Sequence, residues 1–531
     1  MRGRRPFRMN QVASEAMRQS APAIEQKHGS TPDPSVYFKR RRVAPCEVKI
    51  HCRCRPSAFL VPLALAGLLS GCGPVDESQR SSILLVVLDT TRADAVSAYG
   101  VNAHTTPVLD ELAASGIRYD RAYAQAPWTL PSHASLFTGL LPSEHHVGWS
   151  QTRASDRLTM LAEALRDVGY ETVGVSENPW ISDSFNMTQG FEQFRSVVGF
   201  NLTTEVTRSS ETLSAVKEWL ASRKSRRPFF LFVNLLDAHF PYVVRDENPF
   251  LPDVEPSLAL RLARLSTQYF CRDVIEPGTQ EVRWGLYLGG VSAADGKVGG
   301  IRDALVAAGL GDDLITIVTS DHGEHFGEHR LVGHLASLRE PLLRVPLVVH
   351  NPRGTRGVVI AEPVPLIAVF STILEFAGVR PPPGRASSLP VTRGAVTASR
   401  PMIAELDDSS SGEYSEDSEL ARGLRQSNMA ARRDCTDDNR VFGGMRSIIR
   451  GPWKVISYDN YAPELFNLDR DPGERTDLSA VYPEIVSTLR SELDEKAPAA
   501  DADRLGEQGG VKRFVDPEIK RRLEGLGYAA E

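Results

Sequence analysis

Cysteine is scarce in this sequence, which has six among 531 residues: Cys46, Cys52, Cys54, Cys72, Cys271 and Cys435. Cleavage at Cys72, argued below, would leave only Cys271 and Cys435 as thiols. A disulfide between these two is compatible with export, but their spacing alone does not support it. The scarcity excludes a fold that depends on many disulfides. We also expect no metal site at Cys52 and Cys54, because cleavage would remove both.

Positive charge is lacking over most of the chain. The formal net charge is −6, but residues 1–55 carry 13 Lys and Arg against 4 Asp and Glu. Residues 56–531 therefore carry a net charge of −15. An acidic body argues against nucleic acid as a partner.

The N-terminal region has only a short apolar run, which begins at Ala58 and is preceded by Arg53 and Arg55. The run is too short to span a bilayer and is typical of a secretory signal peptide. It ends in Leu69-Ser70-Gly71-Cys72, which resembles the bacterial lipobox, whose cysteine is lipidated and becomes the mature N-terminus. We therefore expect a lipoprotein signal peptide at 57–72 and an exported, membrane-anchored protein of the cell envelope, periplasmic or at the surface. A plain signal peptide and an uncleaved anchor are the alternatives.

Composition divides the chain into further segments. Residues 1–56 form a basic extension that we expect to be unstructured, and residues 73–80 form a polar tether. Residues 81–380 contain the apolar runs of a catalytic domain. The proline-rich start and acidic, serine-rich run of 381–440 predict a linker with a flexible insertion. Residues 441–531 predict a smaller C-terminal subdomain built on an antiparallel sheet.

Continuous apolar runs mark the strands of the large domain. Residues 83–88, 228–236 and 314–319 are almost entirely apolar, as strands are when both faces of a parallel sheet are covered. A further strand is predicted at 171–175, and segments of ordinary helix length separate these runs. The pattern predicts an α/β fold with a large, mostly parallel central sheet flanked by helices.

A proline-punctuated segment, residues 126–139, provides a candidate nucleophile. Pro131 suits the first position of a helix, because its fixed φ fits and its missing N–H is not needed there. A helix over 132–140 would place Thr129 just outside its N-terminus, where unpaired N–H groups and the helix dipole favour an anion. The Thr129 hydroxyl could then attack a sulfate or phosphate ester. The alternative is that Thr129 only caps the helix.

Carboxylates follow three of the predicted strands. Asp89, Asp237 and Asp321 each stand just after an apolar run, and His322 is adjacent to Asp321. Ligands bind beyond the carboxyl ends of the strands in such sheets. Carboxylate and imidazole groups bind divalent cations, and a cation beside Thr129 would ease formation of its alkoxide. The alternative for any single aspartate is a turn or cap residue.

These segments together resemble the sulfatase family of the alkaline phosphatase superfamily. The resemblance covers nearly all of residues 81–531. It is carried in order by Leu88-Asp89-Thr90-Thr91-Arg92-Ala93-Asp94, Tyr99-Gly100, Pro131-Ser132-His133-Ala134-Ser135-Leu136-Phe137-Thr138-Gly139, Asp237-Ala238-His239-Phe240-Pro241-Tyr242, Thr319-Ser320-Asp321-His322-Gly323-Glu324 and Gly451-Pro452-Trp453-Lys454-Val455. The resemblance implies that Asp89, Asp321 and His322 are metal ligands. It also implies that Thr129 is the nucleophile and contacts the metal, and that His239 contacts the ester or its leaving-group oxygen.

The sequence departs from the family at several of these positions. Members of the usual kind have a Cys or Ser that is oxidised to formylglycine, whereas oxidation of Thr129 would give a ketone, so no formylglycine is expected. His133 replaces the arginine that normally follows Pro-Ser. Thr90 stands where many members have a second ligand aspartate, and His334 lies near the position at which relatives have a sulfate-binding lysine. These departures favour a member that uses an unmodified Thr or Ser.

Other histidines and acids are weaker candidates. Asp237, His239 and His334 could form a partial second metal site, and Thr90 is a further candidate ligand. We interpret His325 and His329 as residues of a solvated loop. We expect His239 or His334 to protonate the leaving group, and we count His133 among the catalytic candidates.

The resulting hypothesis is a metal-dependent hydrolase of sulfate or phosphate esters. Its metal would be calcium or magnesium if oxygen ligands dominate, and zinc or manganese if the histidines do. The substrate would be a small molecule, a glycan or a lipid that carries the ester. The alternatives are an envelope transferase of phosphoryl-linked head groups and an inactive, envelope-anchored binding protein.

Overall fold

The computed structural model describes twelve stretches of the chain, all within one compact unit, Cys72–Glu531. They are residues 80–101, 103–149, 151–197, 200–201, 207–208, 211–264, 278–334, 337–392, 401–407, 440, 443–498 and 516–526. The expectations for residues 1–56 and 57–72, most of the tether, and both Cys271 and Cys435 fall outside these stretches. Within them, no helix combines the length and the apolar character that a membrane span requires.

A large central sheet dominates the described part of the chain. Its strands lie in the order Val358–Ile360, Ile117–Tyr119, Leu347–His350, Ile315–Thr319, Ile83–Leu88, Phe229–Leu235, Glu171–Ser176 and Gln193–Ser196. Leu347–His350 runs antiparallel to both of its neighbours, and the other adjacent strands are parallel. The predicted α/β class with a mostly parallel sheet is therefore confirmed.

The strand Ile83–Leu88 lies at the middle of this sheet and is covered on both faces. Ile83, Leu85 and Val87 belong to one core cluster. The alternate residues belong to another. All six side chains are fully buried, which is the reason for the unbroken apolar run. Asp89 follows this strand directly, and its neighbours in the sheet lead into Asp237 and Asp321 at the same edge.

Helices cover the two faces of the sheet. They are Pro107–Ser115, Thr129–Thr138, Pro142–His145, Leu161–Arg166, Glu211–Ser222, Pro256–Arg264, Thr279–Ala307, Glu340–Leu343 and Ala368–Phe376. Short 3-10 helices span Ala93–Ala95, Ser97–Tyr99, Asp183–Phe185 and Glu328–Arg330. Two-residue strands form three small sheets, made of Ala122–Tyr123 with Arg344–Val345 and Val364–Pro365, His325–Phe326 with Val332–Gly333, and Phe200–Asn201 with Thr207–Arg208.

A second, antiparallel sheet lies near the C-terminus, as the sequence predicts. Its strands are Met402–Leu406, Met445–Arg450, Trp453–Tyr458 and Glu464–Asn467, and the helices Pro483–Lys496 and Pro517–Gly525 follow. The interpretation of residues 381–440 as linker and insertion is wrong for Met402–Leu406, which is a fully buried edge strand. A five-residue strand between polar segments has too little periodicity to be recognised.

Candidate active site

The helix Thr129–Thr138 carries the candidate nucleophile. It begins three residues earlier than predicted, so Thr129 is its first residue and Pro131 its third. Proline is tolerated at the third position because the first-turn N–H groups have no partner within the helix. The helix ends at Gly139, whose positive φ of 68° suits glycine. Thr129 is fully buried, and Oγ of Ser132 donates a hydrogen bond to the carbonyl oxygen of Asp321 at 2.7 Å.

Three predicted ligands come together at the carboxyl edge of the sheet. Asp89, Asp321 and His322 each offer one ligand atom, and these atoms all lie within 4.8 Å of one another. All three side chains are fully buried. The carboxylates and the imidazole meet the requirements for binding a divalent cation.

Two asparagines hold Asp89 in place. Nδ2 of Asn178 donates to Oδ2 of Asp89 at 2.8 Å, and Nδ2 of Asn234 donates to the same oxygen at 3.1 Å. Asn178 also donates to Oγ1 of Thr129 at 3.3 Å. Hydrogen bonds of this kind orient a ligand carboxylate.

Asp321 is held through one oxygen. Its Oδ1 accepts from the backbone N–H groups of Thr90 at 3.2 Å and His322 at 2.9 Å. Its Oδ2 is buried and accepts no hydrogen bond from the described residues, although Nδ1 of His133 lies 3.5 Å away. Burial raises the pKa of Asp321, because a charged carboxylate is costly there unless positive charge is near.

His322 is fixed in one tautomer. Its Nδ1 lies 3.0 Å from the carbonyl oxygen of Gly323. A carbonyl oxygen can only accept a hydrogen bond, so Nδ1 is the nitrogen that bears the proton. Nε2 therefore has a lone pair, and it faces Oδ2 of Asp321 at 3.3 Å and Oγ1 of Thr129 at 3.4 Å. Burial and the nearby His334 lower the pKa of His322 well below its usual value, so the ring is neutral.

This arrangement fits a cation. Nε2 of His322 and Oδ2 of Asp321 are two electron-rich atoms that face each other in a buried site. Their approach is unfavourable unless a proton or a cation lies between them, and a cation also satisfies the charge of Asp89. The donor set of two carboxylates and a neutral imidazole therefore fits a divalent metal ion.

His133 lies one helical turn after Thr129. Its Nδ1 donates to the carbonyl oxygen of Thr129 at 2.9 Å, and its ring packs edge-on against Phe137 and Phe232. Burial lowers the pKa of His133. The His133 side chain therefore hydrogen-bonds within its own helix, lies beside Asp321, and packs as a neutral ring between aromatic residues.

Two further predicted histidines adjoin the cluster. The ring of His334 lies 4.6 Å from that of His322 and 5.1 Å from that of His239, measured between centroids. Nδ1 of His334 donates to Oε1 of the buried Glu324 at 3.0 Å. Nδ1 of His239 donates to the carbonyl oxygen of Phe240. Both histidines thus stand beside the candidate metal ligands with their Nδ1 atoms engaged.

The second metal site is disfavoured by the surroundings of Asp237. Nζ of Lys297 lies 2.7 Å from Oδ2 of Asp237 and 2.7 Å from Oε1 of Glu177, and Arg245 lies 3.4 Å from the other oxygen of Asp237. Two cationic side chains already balance this carboxylate. Asp237 therefore belongs to an ion-pair network beside the site, because Lys297 reaches it from the helix Thr279–Ala307.

The remaining candidates are placed differently from one another. Thr90 has a positive φ of 57°, and its hydroxyl donates to the carbonyl oxygen of Asp89 at 2.8 Å. The interpretation of His325 as a solvated loop residue is wrong: it is 2% exposed and pairs in a short strand. His329 is half-buried in the short 3-10 helix Glu328–Arg330, and burial lowers its pKa to about 4.

Sequence reasoning did not find Asn178, Asn234, Glu324 or Lys297. A polar Asn234 within an otherwise apolar strand was one available signal, because a buried polar side chain needs a partner. Asn178 follows the strand Glu171–Ser176 as the aspartates follow theirs. Lys297 lies mid-helix and gives no local signal of its role.

The sheet order and the cluster of two aspartates and a histidine at its carboxyl edge define an α/β protein with a candidate divalent-metal site. A family model described as Sulfatase matches residues 81–379, which is more than half of the chain. The chain therefore belongs to the sulfatase family and is a sulfuric ester hydrolase.

The individual relatives have low sequence identity to this chain, but the matches extend over most of its length. Arylsulfatase K of Xenopus laevis is 25% identical over 439 residues, covering 73% of this chain and 77% of that protein. The Delta 4,5-hexuronate-2-O-sulfatase of Bacteroides thetaiotaomicron is 22% identical over 503 residues, covering 86% and 96%. Among solved structures, the phosphonate monoester hydrolase of Agrobacterium radiobacter has a TM-score of 0.63 at 20% identity, over 82% of this chain and 100% of that one. That structural likeness supports the fold.

Proposed function

We propose that this chain hydrolyses a sulfate, phosphate or phosphonate ester with the unmodified hydroxyl of Thr129 as nucleophile. One observation carries the proposal: Oγ1 of Thr129 lies at a helix N-terminus, 3.4 Å from Nε2 of His322 within the candidate metal cluster. The relatives support ester hydrolysis. A threonine cannot be converted to formylglycine, because oxidation of its secondary alcohol yields a ketone.

The chain's own residues account for the steps of the reaction. Oγ1 of Thr129 gives its proton to solvent water as the alkoxide forms and then attacks the sulfur or phosphorus atom in line with the leaving oxygen. The new bond forms as the ester bond breaks, and a Thr129 ester remains. Water then attacks this ester, and the bonding electron pair returns to Oγ1. A divalent cation held by Asp89, Asp321 and His322 would supply positive charge that favours the alkoxide and neutralises the ester oxygens.

His334 is the better candidate for the proton donor to the leaving oxygen. Its Nδ1 donates to the carboxylate of Glu324, which fixes the orientation of the ring and places the proton on Nδ1. Nδ1 of His239 donates to a backbone carbonyl oxygen instead, so His239 lacks the carboxylate partner that orients many catalytic histidines. After donating its proton, His334 is ready to accept one from the attacking water.

The substrate class and the location complete the proposal. The substrate is a small-molecule, glycan or lipid-linked ester, since the named relatives act on sulfate esters of several kinds.

The signal-like segment and the cysteine at position 72 support export and lipid anchoring in the cell envelope. Cys72→Ala expressed in a bacterial host should move the protein from the membrane fraction to the soluble fraction. An unchanged membrane fraction would count against lipidation.

Substitution of Thr129 tests the nucleophile. The metal-reconstituted protein is assayed against matched aryl sulfate, phosphate monoester, phosphodiester and phosphonate substrates. Thr129→Ala should lower kcat by about 100-fold or more on the best substrate, because the attacking atom is removed. Thr129→Ser keeps a hydroxyl and should retain most of the activity. Full activity of Thr129→Ala would refute the assignment.

The same assays separate the alternatives. Product release that requires an added alcohol acceptor would indicate a transferase. If the purified protein shows no turnover and contains no stoichiometric metal, it is a binding protein without activity. Intact mass after quenching should show an adduct on wild-type protein that is missing from Thr129→Ala.

A further inference from the structure

We propose that Asn178 is a catalytic residue: its side-chain amide donates a hydrogen bond to Oγ1 of Thr129 and stabilises negative charge on that oxygen in both halves of the reaction. The inference rests on the proposed function, since it assigns a role toward the Thr129 nucleophile. It is carried by the hydrogen bonds around the turn that follows the strand Glu171–Ser176.

The orientation of the Asn178 amide is determined by its surroundings. The backbone N–H of Trp180 donates to Oδ1 of Asn178 at 3.0 Å, which identifies Oδ1 as the carbonyl oxygen. Nδ2 therefore faces the other way, 2.8 Å from Oδ2 of Asp89 and 3.3 Å from Oγ1 of Thr129. An amide nitrogen has two protons, so one can serve each oxygen.

The turn that carries Asn178 is held on several sides. The backbone N–H of Asn178 lies 3.1 Å from Oγ of Ser176 and 3.2 Å from Oδ1 of Asn234. Oε1 of the preceding Glu177 accepts a hydrogen bond from Lys297 at 2.7 Å. Arg522, from the C-terminal helix, donates to the carbonyl oxygen of Glu177 at 3.0 Å. The donor is therefore preorganised and needs no rearrangement when charge develops.

A fixed N–H donor favours the alkoxide form of Thr129 over the hydroxyl. Charge is present on Oγ1 before it attacks, and it returns to Oγ1 when water breaks the Thr129 ester. The hydrogen bond to Asn178 strengthens at both points, because charge-assisted hydrogen bonds are roughly twice as strong as neutral ones. Loss of such a donor typically lowers kcat by about 100-fold.

Asn234 provides a matched control. Its Nδ2 donates to the same oxygen of Asp89 at 3.1 Å, and none of its hydrogen bonds within the described stretches goes to Thr129. Both asparagines support Asp89, but only Asn178 contacts the nucleophile. Removal of Asn234 leaves Ser176 as an acceptor for the backbone N–H of Asn178.

The test compares Asn178→Ala, Asn178→Leu and Asn234→Ala in the full chain. Metal affinity is measured by titration, and kcat is measured at saturating metal with a substrate that has a good leaving group. We expect substitutions at Asn178 and at Asn234 to weaken metal binding by a similar factor. We expect the Asn178 variants to lower kcat by about 100-fold and Asn234→Ala to lower it by less than about 10-fold. Circular dichroism and the melting temperature verify folding.

Two outcomes are decisive. Equal losses of kcat at the two positions under saturating metal would overturn the inference, because Asn178 would then act only through Asp89. In a Thr129→Ala background, Asn178→Ala should cause no further loss of residual activity, whereas an undiminished effect there would also overturn it. Failure of the proposed function is recognised separately, by an active Thr129→Ala protein.

Discussion

Oγ1 of Thr129 lies 3.4 Å from Nε2 of His322, although 193 residues separate them in the chain. Two features bring them together. The strand Ile315–Thr319 pairs with the central strand and delivers Asp321 and His322 to the carboxyl edge. Oγ of Ser132 then ties the helix of Thr129 to the carbonyl oxygen of Asp321. Thr129, the proposed nucleophile, is therefore tied structurally to the candidate metal ligands, so a substitution at either is expected to affect the other.

The first prediction concerns metal binding. Asp321→Asn removes one negative charge from the cluster and should lower divalent-metal affinity by at least about 10-fold. Metal content and a competition titration measure this directly. Asp94→Asn is the control, because Asp94 pairs with Arg92 and its side chain is 59% exposed. Equal affinities for Asp321→Asn and wild type would contradict the assignment.

The second prediction concerns the leaving group. His334→Gln should slow hydrolysis of alkyl esters by about 100-fold and affect activated aryl esters far less, because a good leaving group needs no proton. A plot of log kcat/KM against leaving-group pKa should become steeper. His329→Gln is the control. The charged groups that influence His329, which include Arg339 and Glu474, are not among the candidate metal ligands. An equal loss on all esters would argue for a structural role of His334.

The third prediction concerns stability and pH. Oε2 of Glu405 accepts from the backbone N–H of Ser143 at 2.8 Å, and burial raises the pKa of Glu405 from 4.5 to about 7. Arg446 and Glu144 are its charged neighbours. Between pH 4.5 and 7 the folded protein keeps a proton that the unfolded chain has lost, so the free energy of unfolding falls as pH rises.

Glu405→Gln removes this titration and keeps an acceptor for Ser143. Relative to the variant, the wild type should lose about 3 kcal/mol of unfolding free energy between pH 4.5 and 7. Urea unfolding across that range provides the measurement. Parallel pH profiles for the two proteins would show that Glu405 does not titrate there.

The fourth prediction concerns the attachment of the C-terminal sheet. Lys454 is fully buried, with Nζ 3.1 Å from Glu340 and 2.8 Å from Glu474. Lys454→Met would leave two buried carboxylates without their cation and should lower the free energy of unfolding by about 3–5 kcal/mol. Denaturant unfolding measures the loss. Lys496→Met, at an exposed ion pair, should leave the unfolding midpoint nearly unchanged.

Much of the fold could be predicted because its signals are local. A strand buried on both faces must be apolar throughout, and Ile83–Leu88 and Ile315–Thr319 are found within a residue of the predicted bounds. The helix that contains Thr129 begins three residues before the predicted start, because proline is also permitted at the third position. The strand Met402–Leu406 was missed because its residues acquire a buried face only from pairing with Met445–Arg450.

Local sequence patterns are enough to predict the class of fold and the chemical kinds of group at the edge of the sheet, since apolar runs and the residues that end them depend only on neighbours in the chain. Only the tertiary structure decided which of those groups meet. It placed Asp321 beside His322 and Thr129, and it paired Asp237 with Lys297 from a distant helix. It also brought the amide of Asn178 to the hydroxyl of Thr129. A hydrogen bond or ion pair between remote residues depends on distances of a few ångströms, and those distances are set by the packing of the whole domain.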